Sequence, residues 1–255
     1  MPVSADVGHV DVNDRRELSF DSVADEYERT RPDYPPALLD ALPLEADAAV
    51  LDLGAGTGKL TRVLAQRYAD VTAVEPLANM RSLLERMVPG VAALAGSAER
   101  IPLDDGSMDG VFAAQAFHWF DKSSALPEIA RVLRPGGIVA IVWNQGNDDL
   151  TDPRPAEFVR EVKVLHDAAL RRWKDEPEWE AMLRDCGLFE DVHDRSSVPH
   201  DHVLDRAGIL DNLRSVSWIA SRDDREDVVA RLGALLPEAT YAIPNRANVI
   251  WARKR

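Results

Sequence analysis

The chain has 255 residues, 45% of them apolar and 29% charged, with 44 acidic against 30 basic side chains and a formal net charge of −14. That balance repels polyphosphate backbones and makes nucleic acid an unlikely partner. The single cysteine, Cys186, excludes an internal disulfide and a cysteine-based zinc site. The longest apolar runs, such as Ile138 to Trp143, are far too short to cross a bilayer. No membrane association is therefore expected. The N-terminus lacks both a basic and an apolar signal region, so the expected location is cytoplasmic.

Residues 1–19 are polar and aperiodic, as in a mobile arm. "FDSVADEYERTRPDYPPALLDAL" (20–42) then offers Asp and Ser as helix caps, a short helix through Tyr27, a break at Pro32 and a restart with proline in a first turn. Two short helices with a hinge, over residues 20–47, suit a lid. From residue 48 apolar strands alternate with amphipathic helices. The strands are "AVLDLG", "VTAVE", "VAALAG", "MDGVFAA" and "GIVAIVWN", the last entered through the turn "RPGG"; the helices are "KLTRVLAQRYA", "LANMRSLLERM" and "SSALPEIARVL". In the first of these helices Leu60, Val63, Leu64 and Tyr68 share one face. Strands this apolar are covered on both sides, so the pattern predicts a doubly wound, mostly parallel α/β sheet.

After Asn144 the alternation weakens. A polar loop leads into helical patterns over 156–173 and 177–189, a helical insertion after the fifth strand. "FEDVHDRSSVPHDHVLD" (189–205) reads as a long edge strand, with Pro199 marking a bulge or an edge. A helix over 224–236 and a final strand over 247–255 close the chain.

The ligand signal is "VLDLGAGTGKL" (50–60), a strand running through three glycines into a helix. Absent Cβ atoms let a ligand approach the backbone, and the first helical N–H groups remain free. A phosphate-binding P-loop would need glycine at Leu53 and a hydroxyl at Leu60. The dinucleotide fingerprint would need glycine at Lys59 or Thr61. Both patterns fail. The remaining G-x-G-x-G is followed by an acidic residue, Glu75, at the end of the next strand, which by itself also suits a nicotinamide dinucleotide.

Together with "VTAVEP", "GSAERIPLDDGSMDGVFAAQAFHWFD" and "EIARVLRPGG", this loop resembles the class I S-adenosylmethionine-dependent methyltransferases, most nearly the small-molecule group that includes the trans-aconitate and menaquinone/ubiquinone-type enzymes. The resemblance covers residues 20–143. It implies a Rossmann-like sheet of seven strands with an antiparallel last one, S-adenosyl-L-methionine as cofactor with S-adenosyl-L-homocysteine as product, no metal, and a small-molecule acceptor methylated on O, N or C. It places Gly54, Gly56 and Gly58 around the methionine part of the cofactor, with Asp52 holding the loop or the amino group. Glu75 takes the ribose hydroxyls beside Pro76, and Met80 lies against the adenine. Ser97, Ala98 and Glu99 stand where the family usually shows Asp-Ala/Ser-Glu at the adenine amine. Gln115 meets the methionine moiety. In the lid, Tyr27 and Arg31 are matched to the cofactor carboxylate, or Arg31 to a carboxylate of the acceptor. The substrate pocket is assigned to Tyr34, Ala116, His118, Trp119 and Trp143, with His118 as candidate general base because an imidazole near its ordinary pKa suits proton removal at neutral pH. Trp173, Trp179 and Trp218 belong to core or pocket, and the segment 145–220 is expected to shape the acceptor site. A catalytically idle binding protein and a dinucleotide-dependent oxidoreductase are the alternatives; sequence gives no oligomeric state.

Overall fold

The computed structural model describes residues 24–146, 151–169 and 178–255. The arm expected over 1–19 and Trp173 lie outside the described residues. Seven strands, β1 (Ala49–Leu53), β2 (Asp70–Val74), β3 (Ala92–Leu94), β4 (Met108–Ala114), β5 (Leu133–Gly146), β6 (Phe189–Asp205) and β7 (Thr240–Lys254), form one sheet in the order β3-β2-β1-β4-β5-β7-β6. The first five are mutually parallel; β7 runs antiparallel to both neighbours, slotted between β5 and β6. The doubly wound sheet with one antiparallel strand is thus as the sequence predicts.

Strand alternation explains the two layers. From β1, Leu51 and Leu53 enter one core with Val111 and Ala113 of β4 and Ile129 of α4 (Lys122–Val132). Val50 and its neighbour Phe112 enter the opposite core, with Leu60 and Leu64 of α2 (Lys59–Arg67) and Leu38 and Leu39 of a 3-10 helix, Pro36–Ala41. All five β1 residues are buried. A strand covered twice carries no outward polar face, which is why its sequence is nearly continuous in apolar residues.

Three boundaries differ from the sequence reading. "RPGG" is not a separate turn: Leu133 already pairs with Met108, and Gly136 at φ 79 and a register shift after Met108 bring the strand back into line inside β5. Pro199 sits in β6, the outermost strand, whose register shifts fall between Glu190 and Ser196 instead; Pro199 thus marks an edge, not a bulge. The third is an unforeseen helix, α7 (Arg206–Ser215), followed by the short α8 (Ser217–Ala220). These pack with α5 (Ala156–Ala169) and α9 (Arg225–Ala234) around Phe158, Ile209, Leu213, Ile219 and Leu232. This satellite core runs on past residue 220, while α6 (Trp179–Asp185) packs against the sheet through Leu183. Among the described residues no helix is long and apolar enough to cross a membrane.

The strand order reverses between β1 and β4, and the carboxyl ends of parallel strands open a crevice there. Two loops nearly touch across it. A Cβ on Gly54 would lie 2.7 Å from that of Ala116. Gly58, at φ 89, has Leu84 of α3 (Ala78–Met87) where its Cβ would stand, at 2.9 Å. Gly58→Ala is therefore expected to lower unfolding stability by roughly 1–3 kcal/mol. Gly90→Ala, equally left-handed at φ 97 but with no atom within 4 Å of the added Cβ, should cost about 1 kcal/mol. Urea unfolding of the two variants checks this; equal losses would show that the Leu84 contact adds nothing.

Candidate active site

One cavity of about 740 Å³ occupies the crevice. Its floor is made by the carboxyl ends of the strands: Gly54 to Thr57 after β1, Glu75 to Leu77 after β2, Ser97 to Glu99 after β3, Ala114 to Ala116 at β4, and Asn144 of β5. Its roof is Tyr27 of α1 (Ala24–Thr30) with Arg31, Pro32 and Tyr34. The far wall is His118 to Asp121 on one side and His166, Val216, Ser217 and Trp218 of the helical insertion on the other.

Glu75 organises the floor. Its carboxylate is almost fully buried and accepts hydrogen bonds from the backbone N–H of Gly56, at 2.8 Å, and of Leu77, at 2.9 Å. One side chain thereby ties the glycine loop to the entrance of α3. Gly56, at φ 58, has no atom within 4 Å of a notional Cβ, so its backbone lies open to the cavity. Met80, 3% exposed, lines the cavity and also packs under Ala24 and Tyr27 of the lid. Glu99 accepts from the Asp121 N–H at 2.9 Å, linking the β3 loop to the far wall.

Asp52 does not reach the cavity. Fully buried, it accepts the Thr61 hydroxyl at 2.6 Å and the Thr61 N–H, and so caps α2 from below. It holds the loop; it does not face a ligand. Burial, reinforced by the nearby Glu75 charge and opposed by the Thr61 bonds, raises its pKa to about 7. Gly58 likewise shapes the turn without lining the cavity, and Trp143 is a plain correction. Its ring packs edge-on against Trp179 at 5.1 Å with Arg195 over it, in the core on the other face of the sheet. At β5 the next residue, Asn144, is the one that reaches the crevice.

His118 stands at the mouth of the cavity beside Trp119, ring centroids 4.9 Å apart. Burial, with the positive charges of Lys122 and Arg31, lowers its pKa to about 4. The imidazole is neutral at pH 7 and a weak base, contrary to the sequence expectation. Arg31 presents the opposite case. Its guanidinium lies over the Tyr27 ring at 5.3 Å and donates through Nη2 to the Ser215 carbonyl at 3.2 Å, while Nε is buried with no partner. A buried guanidinium N–H without an acceptor, in a cavity wall, suits an anionic ligand group.

The lid is fastened to α2 by charge. Arg62 bonds Glu28 at 2.7 Å, Lys59 bonds Asp33 at 2.9 Å, and the Thr57 hydroxyl bonds Glu28. Sequence reasoning missed Lys59, Asn144, Asn245, His166 and Ser217. Polar residues ending an apolar strand were an available signal for Asn144 alone.

The described residues fit an S-adenosylmethionine-sized ligand: an open glycine backbone at Gly56, a carboxylate at the end of β2, and a guanidinium whose Nε has no partner under the lid. A methyltransferase-domain family model matches residues 51–141. An uncharacterised methyltransferase of Mycobacterium tuberculosis is 42% identical over 207 residues, 78% of this chain and 85% of the relative. Among solved structures, a type II methyltransferase from Anaeromyxobacter dehalogenans superposes with a TM-score of 0.61 at 25% identity, over 88% of this chain and 97% of that one. An N-methyltransferase from Haemonchus contortus, in complex with phosphomonomethylethanolamine and S-adenosylhomocysteine, shares the fold with a TM-score of 0.57 at 18% identity, over 96% and 60%.

Asp52 sets a testable pH dependence. Its folded pKa lies above the unfolded value, so the folded chain binds the proton more tightly; the associated stability is fully present in acid and lost as pH rises through about 7. Asp52→Asn never ionises. Relative to the native chain it should gain stability between about pH 5 and about pH 8, by a few kcal/mol. His118 and His202, both lowered to about 4, tilt the curve the other way, and equally in both proteins. Urea melts at several pH values give the difference; one that does not change with pH overturns the assignment.

Proposed function

The chain belongs to the class I S-adenosylmethionine-dependent methyltransferases, and from that premise we propose that the crevice cavity binds the cofactor at the Gly56–Glu75 end and a small-molecule acceptor at the His118–Trp218 end. The observation that supports this reading is the continuity of the two ends under one lid. The volume lies within the roughly 300–1,000 Å³ of small-molecule sites.

When bound, the cofactor supplies a methyl group on a positively charged sulfur, open to in-line displacement by an electron-rich O, N or C. The chain's own residues bind and orient. Glu75 brings a carboxylate to the cavity at the end of β2, and a carboxylate there suits ribose hydroxyls. Pro76 and Met80 flank the adenine side, and Ser97 to Glu99 close the same end. Ser97 offers a hydroxyl where related sequences carry a carboxylate, so the adenine amine meets a neutral, not a charged, acceptor. Gln115, at φ 52 a left-handed non-glycine residue, donates its side-chain amide to the Asn144 carbonyl at 3.0 Å and so fixes the floor beneath the reacting atoms. Arg31 and Tyr27 take the carboxylate of the methionine portion. Tyr34, Ala116 and Trp119 exclude water from the approach path, which shortens contact distances and strengthens local electrostatics. His118, neutral at working pH, accepts a hydrogen bond from the acceptor and orients it; it is not the group that holds the departing proton.

Two measurements test this. S-adenosylmethionine and S-adenosylhomocysteine should raise the thermal midpoint of the full chain, and nicotinamide dinucleotide should not. No shift with either sulfur nucleotide in a folded sample removes the reading. Glu75→Gln, which keeps one carbonyl acceptor, should weaken both nucleotides by roughly tenfold or more in calorimetry. Unchanged affinity removes the ribose role.

A further inference from the structure

The lid and the helical insertion are far apart in sequence, yet they meet through a short chain of hydrogen bonds. Asn212 of α7 donates its side-chain amide to the Thr30 carbonyl at 2.9 Å, at the open end of α1. Ser215, fully buried at the end of α7, returns its hydroxyl to the Asn212 carbonyl at 2.8 Å, and its own carbonyl accepts from Arg31 Nη2 at 3.2 Å. Val216, Ser217 and Trp218 follow at once and wall the far end of the cavity. The last turn of α7 therefore does two things: it holds the guanidinium that faces the cofactor end, and it delivers the acceptor wall.

We propose that Asn212 and Ser215 are positioning residues that make the roof over the cofactor and the wall of the acceptor pocket one unit, so that filling the cofactor end orders residues 216–220. The inference rests on the reading that the cavity takes S-adenosylmethionine. The bonds are largely shielded, all three acceptors are backbone carbonyls, and two of them, those of Asn212 and Ser215, move with α7. An ion pair between the two segments, Arg29 with Asp211 at 3.3 Å, is exposed and screened. Asn212 is the side chain that ties α7 to the end of α1 without lining the cavity, so its loss weakens the link between roof and wall and leaves the cavity surface intact.

The test is amide hydrogen exchange on the full chain, with and without S-adenosylhomocysteine, for the native protein, Asn212→Ala and Asn212→Asp. The aspartate is nearly isosteric but sets a carboxylate against the Thr30 carbonyl. Native chain should show slowed exchange over 216–220 on adding the nucleotide. In Asn212→Asp, exchange of residues 24–34 should rise at least tenfold without ligand, and at saturating nucleotide the slowing over 216–220 should be lost; Asn212→Ala should do the same to a smaller extent and decides the matter should the aspartate fail to fold. Nucleotide affinity should fall severalfold in either variant. Exchange over 24–34 unchanged in both variants, or 216–220 still slowed by saturating nucleotide in both, overturns the proposal. A native chain that does not bind S-adenosylhomocysteine defeats the cofactor reading instead, and the ligand-free comparison over 24–34 then decides whether Asn212 joins the two segments.

Discussion

The buried carboxylate of Glu75 is the constraint on which the site depends. Three glycines of this loop, all in left-handed conformations, have no side chains with which to fix it, and that freedom is costly unless something outside holds it. Glu75 does so by taking the Gly56 and Leu77 N–H groups on its two oxygens, charge-assisted bonds in a place largely shut off from water. Asp52 holds the same loop from beneath through Thr61. Burial, with Glu75 nearby, pushes the Asp52 carboxyl up to about 7. One carboxylate thus lines the crevice while the other lies beneath the loop.

The roof is held differently from the floor. Floor residues follow strands that are covered on both faces and cannot shift without disturbing the sheet. The lid rests on a small apolar cluster of Ala24, Tyr27, Met80 and Leu83, and on ion pairs whose members range from buried Lys59 to Asp33, 71% exposed at its side chain. Such pairs contribute little each and weaken with salt.

How much of this was legible follows from which residues answer to local physics. β1, α2 and β4 announce themselves because their neighbours in space are also their pattern in sequence: every second residue of a strand, every third or fourth of a helix. The glycine loop was legible as a ligand loop from its strand-to-helix turn, whereas Glu75 alone suited a dinucleotide equally well and took its meaning from the accompanying motifs. Trp143 and Asn144 show where such reasoning stops. Strand alternation says that adjacent residues face opposite sides, but not which side holds the crevice; the structure gives the crevice to Asn144 and the core to Trp143. α7 was illegible for another reason. "RAGILDNLRS" carries Gly208 and an interrupted apolar face, so it is a helix only because Asp205 caps it at the Gly208 N–H and Ile209 and Leu213 find a core supplied by α5 and α9. Its contribution to the cavity, through Val216 to Trp218, is then a tertiary fact.

The net charge of −14 does not set the field that His118 meets, because distance decides which charges act on it. Surface carboxylates act through water and salt, and beyond about 8–10 Å they are largely screened. Burial acts most strongly on His118, and the positive charges of Lys122 and Arg31 add to it. Their combined effect is to keep the imidazole unprotonated, because a third positive charge there would be repelled as well as desolvated. An imidazole held neutral in this way is a poor proton acceptor, so in the proposed reading His118 serves to orient the acceptor's nucleophilic atom toward the floor and not to remove its proton.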